Sequence, residues 1–196
     1  MNLPEKLVIA TGNYNKYREF EYIIKKIVGH DIKTKIIFAP EISKLTIDET
    51  GSTYAENAIL KAEAWSKKIN LPCLADDSGL EVEILNGAPG LYSARIVEGD
   101  DDKKIKWLLE NLNNKNNRNA KFVAVLALKI PGEKIILSEG TCKGKINKYP
   151  AGNNGFGYDP VFIPEGFNLT FAQMDFKSKN LISHRAEAFK NLIKLP

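Results

Sequence analysis

Two pairs of adjacent carboxylates are the residues best suited to chemistry: Asp48-Glu49, followed by Thr50-Gly51, and Asp76-Asp77, followed by Ser78-Gly79. Neighbouring carboxylates repel, and a fold tolerates them best where a cation or solvent relieves the repulsion. Hard oxygen donors of this kind suit Mg²⁺, which takes one or two carboxylates and completes its shell with water and substrate phosphate. A polar Asp/Ser/Gly turn at the end of the apolar run Leu71–Ala75 accounts equally well for the second pair alone. Asn57 and Lys61, four apart, share one face of an expected helix with Glu56 adjoining. A solvated face is the default for such a trio, and only the Asp48–Gly51 cluster leading into the same helix gives it interest.

Ala10-Thr11-Gly12-Asn13-Tyr14-Asn15-Lys16 reads as a strand-to-helix turn, with the helix starting at about Lys16. Such a turn exposes backbone N–H groups at the positive end of a helix, a site for phosphate oxygens. A tight turn with a solvated lysine is the plain alternative. Ala151–Pro160 is a glycine-dense loop carrying Phe156 and Tyr158, where glycines admit a ligand close to the backbone and an aromatic can stack on a flat base. Ser183 reads as an N-cap, which puts His184 and Arg185 in a first helical turn with donors pointing outward. Gly140–Ile146 imitates a P-loop but is one residue short and has Ile146 where the magnesium-ligating hydroxyl belongs. The chain has no GxGxxG fingerprint and no HExxH, so kinase-like and dehydrogenase readings lack their parts. Cys73 and Cys142 stand too far apart for a CxxC motif or a thiolate cage, and a reduced cytoplasmic setting fits them.

Four helical stripes must position these groups: Tyr17, Phe20, Ile24, Ile27 and Val28; Tyr54, Ala58, Ala62, Trp65 and Ile69; Ile105, Leu108, Leu109 and Leu112; and Phe189, Leu192 and Ile193. Leu7–Ala10 and Phe122–Leu128 are almost wholly apolar, as strands covered on both faces are. Ile130-Pro131-Gly132-Glu133 suits a type II turn joining Phe122–Ile130 to Lys134–Gly140 as an antiparallel pair. The order of elements predicts an α/β protein with a mixed sheet and helices on its faces. A chain of 196 residues, 43% hydrophobic and 27% charged, can bury a substantial core and is not disordered. Its net charge of +4, with lysines dispersed, does not call for nucleic acid. No apolar run approaches membrane-spanning length, and Met1–Pro4 leads straight into a strand-like segment, so neither a membrane helix nor a signal peptide is expected.

Taken together these segments resemble the Ham1/RdgB-type inosine triphosphate pyrophosphatase family. The matching runs are Ala10–Asn13 with Lys16, Asp48–Gly51, Glu56–Ala58 with Lys61-Ala62, Ala75–Leu80, Gly87–Gly90 with Tyr92–Arg95, Gly155–Pro160 and Ile182–Ala186. They occur in family order from about Lys6 to Phe189. Two departures are Asn153-Asn154, where many relatives carry another Gly, and Gln173, where many carry an acid.

The resemblance implies an elongated, mixed, twisted sheet forming two lobes of one domain over residues 1–196, with the active cleft between them, a homodimer and a Mg²⁺ requirement. It implies attack of water on the α-phosphorus of non-canonical purine nucleoside triphosphates (ITP, dITP, XTP), releasing pyrophosphate. Asp77 is then the general base and a metal ligand; Glu49 is first choice for holding Mg²⁺, with Asp48 open and Asp76 a further ligand or an outer carboxylate. Thr11, Gly12, Asn13, Tyr14, Asn15 and Lys16 should cradle the triphosphate, with Lys61 reaching it and Ser78 touching substrate. Phe156 should stack on the purine, Gly157, Tyr158 and Asp159 should shape the pocket, and Lys179, His184 and Arg185 should meet the base edge. Donors there would accept hypoxanthine and xanthine, which carry oxygen at C6, and reject adenine, which carries an amino group. The alternatives are a pyrophosphatase of modified pyrimidine triphosphates and a catalytically silent nucleotide-binding regulator.

Overall fold

The computed structural model describes residues 3–29 and 32–195; His30, which carries no role in the sequence reading, lies outside them. The elements run β1 (Lys6–Ile9), α1 (Tyr14–Val28), β2 (Lys35–Phe38), α2 (Ala39–Ile42), α3 (Tyr54–Ile69), β3 (Cys73–Val82), α4 (Asp101–Asn111), β4 (Asn119–Lys129), β5 (Ile136–Ile146), β6 (Phe162–Pro164), α5 (Phe176–Ile182) and α6 (His184–Lys194). The strand order is β2-β1-β3-β4-β5-β6. β1 is parallel to both β2 and β3, while β5 and β6 are antiparallel. β4 and β5 are sheet neighbours joined by residues 130–135, too short for a crossover, so they too run antiparallel. The turn is of the expected type: Gly132 has φ +81° and Glu133 N–H donates to Ile130 O at 3.0 Å. The sheet is mixed and the protein is α/β.

By contacts the chain forms two compact units. The first comprises the chain up to Asp77, Ala124–Gly140 and the chain from Arg185 onward; the second comprises Ser78–Val123 and Thr141–His184. In the first, alternate strand residues feed opposite layers. Leu7, Ile9, Leu74, Leu126 and Leu128 pack with Phe20, Ile23 and Ile24 of α1 and with Phe189 and Leu192 of α6. Val8, Ala10, Cys73, Ala75, Val125 and Ala127 pack with Ala58, Ala62 and Trp65 of α3. In the second, Leu80, Val82, Phe122 and Phe162 pack with Ile105, Leu108 and Leu112 of α4 and with Phe171.

Four expectations shift. Val28 is 43% exposed, and Ile23 takes its place in the α1 stripe. α1 begins at Tyr14 rather than near Lys16, because Asn13 caps it by accepting from Asn15 N–H and Lys16 N–H. β5 is longer than Lys134–Gly140 and includes the P-loop look-alike, which is strand. β3 does not stop before the carboxylates: it runs through Asp76, Asp77 and Ser78 to Val82.

Candidate active site

The continuation of β3 assigns each carboxylate to a layer. Asp76 has the parity of Leu74, whose side chain packs with α1 and α6; Asp77 has the parity of Cys73 and Ala75, which pack with α3. Their partners follow. Asp76 Oδ2 accepts from Lys16 Nζ of α1 at 2.7 Å and from Arg185 Nε of α6 at 3.4 Å. Asp77 Oδ2 accepts from Asn57 Nδ2 at 3.1 Å and its Oδ1 accepts from Lys61 Nζ at 3.2 Å, both from α3. Mutual repulsion is relieved by protein cations on two faces, which is why a strand can carry two buried acids in succession.

The two acids differ in proton affinity. Burial would raise Asp76, but Lys16 and Arg185 outweigh it and hold the carboxyl well below the usual carboxylate range. Burial is likewise the largest influence on Asp77; Glu49 adds repulsion and Lys61 only partly offsets both, so this carboxyl is raised. Lys16 is lowered by burial, with Arg185 and Lys61 acting in the same direction against Asp76. Lys61 is raised, because Asp77 and Glu49 together exceed its burial cost.

Lys61 also donates to Glu49 Oε1 at 2.6 Å, so one ammonium serves both Glu49 and Asp77. Asp48 is exposed, and it is Glu49 that turns towards Asp77's cation. Asn57 is fully buried rather than part of a solvated face. It borders the apolar stripe of α3, and a carboxamide in the first helical turn with a lysine one turn on is the signal available in the sequence. Glu19, also buried, accepts from Arg185 Nη1 at 2.8 Å; its only sequence trace is one acid next to Phe20 of the α1 stripe.

At the Thr11–Lys16 turn, Thr11 Oγ1 accepts from Asn13 N–H at 3.1 Å, and Asn13 Oδ1 accepts from Asn15 and Lys16 N–H at 2.9 and 3.2 Å. The turn therefore caps itself with its own side chains. Gly12 and Tyr14 lie exposed beside it.

The aromatic loop belongs to the second unit. Gly155 at φ +78° and Gly157 at φ +63° wind the chain so that Asp159 Oδ2 accepts from Phe156 N–H at 2.9 Å. Lys179 of α5 donates to the same oxygen, and its ammonium lies 5.0 Å from the Phe156 ring centre and 5.6 Å from that of Phe171. A buried cation is here matched by one carboxylate and two aromatic faces. Asp101 Oδ2, at the start of α4, accepts from Gly157 N–H at 2.6 Å, a long-range bond that no local pattern announces. Tyr158 is buried and its hydroxyl donates to Ser93 O at 3.1 Å. His184 is buried and stacks on Phe122 at 4.7 Å and 13°. Neither His184 nor Arg185 projects outward from the end of α6 as the sequence alone suggested: one packs on an aromatic and the other is held between two acids. Ser78 follows Asp77 on β3, half-buried.

These observations define an α/β protein with two buried carboxylates paired to cations on one strand and an aromatic–cation cluster in the glycine loop. The chain belongs to the Ham1 family, whose family model matches residues 7–195. Among its relatives, a dITP/XTP pyrophosphatase of Aquifex aeolicus is 43% identical over 96% of this chain and 95% of its own length. One bearing the same description in Listeria innocua is 47% identical over 96% of this chain and 93% of its own length. A HAM1 protein from Coxiella burnetii, of known structure, has a TM-score of 0.84 at 38% identity, with 96% of each chain covered.

Proposed function

We infer that this protein is a nucleoside triphosphate pyrophosphatase that removes non-canonical purine nucleotides, ITP, dITP and XTP, from the nucleotide pool as monophosphates. The relatives' descriptions support the reaction and the purine class. The observation in this chain that carries it is the Asp77–Lys61–Glu49 arrangement: two carboxylates on one ammonium, with the proton affinity of Asp77 raised. A carboxylate of raised pKa is the better base, and a lysine beside it attracts phosphate.

Asp77 takes the proton of a water molecule whose oxygen forms a bond to the α-phosphorus. The bond from that phosphorus to the bridging oxygen breaks, and pyrophosphate leaves with the electron pair. Lys61 holds phosphate charge near the base, and Lys16 and the Thr11–Asn15 turn hold the rest of the triphosphate. Because Asn13 occupies the Asn15 and Lys16 N–H groups, the ammonium of Lys16 is the turn's principal charged contact. Asp76, gripped by Lys16 and Arg185, acts as an outer carboxylate that orients Lys16.

A divalent cation, Mg²⁺ in our reading, fits the donor set. Among the described residues there is no group of three or more His, Cys, Asp or Glu side chains able to cage a metal. Glu49 and Asp77 instead offer the one or two carboxylates that Mg²⁺ takes alongside phosphate and water, with Asp48 nearby in sequence. Such an ion, when bound, offsets phosphate charge and makes water more acidic.

For the base we assign Phe156 as the stacking platform, Gly157, Tyr158 and Asp159 as the pocket wall and Lys179 with His184 as donors to the C6 oxygen. The support is the aromatic–cation cluster around Phe156. Arg185 reaches a base only by leaving Glu19 or Asp76, so we place it behind Lys16. We read residues 1–196 as one domain, acting as a cytoplasmic homodimer. No helix among the described residues is long and apolar enough to cross a membrane. Both cysteines are buried and free, their thiols pushed up to about 12 by burial.

The test is pyrophosphate release from ITP, XTP, dITP, GTP, ATP and dUTP, with Mg²⁺ and with EDTA. The expected result is metal-dependent pyrophosphate from the first three alone. Inorganic phosphate as product would move the attack to the γ-phosphorus. Turnover of dUTP alone would favour the pyrimidine reading, and tight ITP binding without turnover the regulator.

A further inference from the structure

Asn57, like Lys61, joins two parts of the site that lie far apart in the sequence. Its Nδ2 donates to Asp77 Oδ2 at 3.1 Å, and its Oδ1 accepts from Gly51 N–H at 2.8 Å. The orientation of the amide is dictated by chemistry: an ionised carboxylate only accepts and a backbone N–H only donates, so the two ends cannot be exchanged. Gly51 closes the Asp48–Gly51 run that carries Glu49. This contact is tight, because a Cβ at Gly51 would lie 2.7 Å from Asn57 Oδ1 and 2.7 Å from Glu56 Cβ. The loop thus sits against the helix at a distance only glycine permits. Asn57 has no exposed surface, so its amide forgoes water and depends on these partners.

We propose that Asn57 is a positioning residue that sets the two carboxylates of the reaction with one side chain. It turns Asp77 so that Oδ2 is bound and Oδ1 faces Lys61, and it anchors at Gly51 the loop that brings Glu49 to the same lysine. Asn57 touches neither substrate nor water in the reaction; it acts through Asp77 and Glu49. The inference rests on Asp77 being the general base.

Two variants test it, each assayed for ITP turnover alongside Asp77→Asn and checked for folding by circular dichroism and thermal melting. Asn57→Ala removes both bonds. Asn57→Asp keeps the size and the acceptor for Gly51 N–H but sets an oxygen against Asp77, and serves if the alanine variant does not fold. In the folded variants kcat should fall about 10- to 100-fold while KM for ITP stays within about threefold, the pattern of misplaced catalytic groups rather than lost binding. Wild-type kcat in either folded variant, with only the melting temperature reduced, would make Asn57 a structural residue and overturn the proposal. Asp77→Asn separates the two readings. If it retains turnover, the base assignment fails whatever Asn57 does; if it is inactive while the Asn57 variants turn over normally, the Asn57 proposal alone fails.

Discussion

Asp159 collects the Phe156 N–H and the Lys179 ammonium on one oxygen, and it does so across the backbone of Gly155. A Cβ at Gly155 would lie 2.0 Å from that oxygen, and its φ of +78° is disfavoured for any other residue. Gly157 also has positive φ, +63°, but a Cβ there would meet nothing within 4 Å. The pair therefore separates conformational strain from collision. Gly157→Ala should cost about 1 kcal/mol in urea unfolding, and Gly155→Ala about 2 kcal/mol more, because it displaces a buried ion pair as well. Equal losses would show that Asp159 adjusts freely. The sequence marks both glycines in a dense aromatic loop, but only the partner Asp159, four residues past the first and two past the second and folded back, distinguishes their tasks.

At the scale of elements, β3 does the most to organise the site. Its alternation sends Asp76 to α1 and α6 and Asp77 to α3, so one strand sets a firmly ionised acid next to a carboxyl of raised proton affinity. The ionised acid has a consequence for stability. Asp76 binds its proton less readily folded than unfolded, so the stability it lends is complete above the unfolded value of about 3.9 and is lost as pH falls through the lower folded value. Asp76→Asn should therefore cost about 3 kcal/mol at pH 7, leaving Lys16 and Arg185 poorly matched, and about 1 kcal/mol less at pH 3, where the unfolded chain has begun to take up the proton and the folded one has not. Urea midpoints of both proteins at the two pH values check this, and an equal difference at pH 3 and pH 7 would assign the acid sensitivity elsewhere. In the sequence a polar turn is an equal alternative at Asp76–Gly79, because four polar or small residues follow an apolar run. The strand persists because cations from three helices, distant in sequence, satisfy what solvent would otherwise have to.

Over the whole molecule, three strands (β3, β4 and β5) pass from one compact unit into the other. Neither unit owns all of its own strands, and we expect them to unfold together. The two tryptophans make this measurable, since Trp65 lies in the first unit and Trp107 in the second. Single-tryptophan proteins made by Trp65→Phe and Trp107→Phe should give coincident fluorescence transitions in urea, and separated midpoints would mean two domains rather than one. By itself the sequence determined the α/β class, the helical stripes and the type II turn and marked the acids and lysines of the candidate site, because periodicity, turn chemistry and residue type are local properties. Only the tertiary structure decided that Asp76 and Asp77 part company, that Arg185 is held by Glu19, that Asp101 grips the glycine loop and that Asn57 is buried against Asp77. Each of these depends on which distant residue supplies a hydrogen bond or a charge, and that is settled by the packing of helices on the sheet.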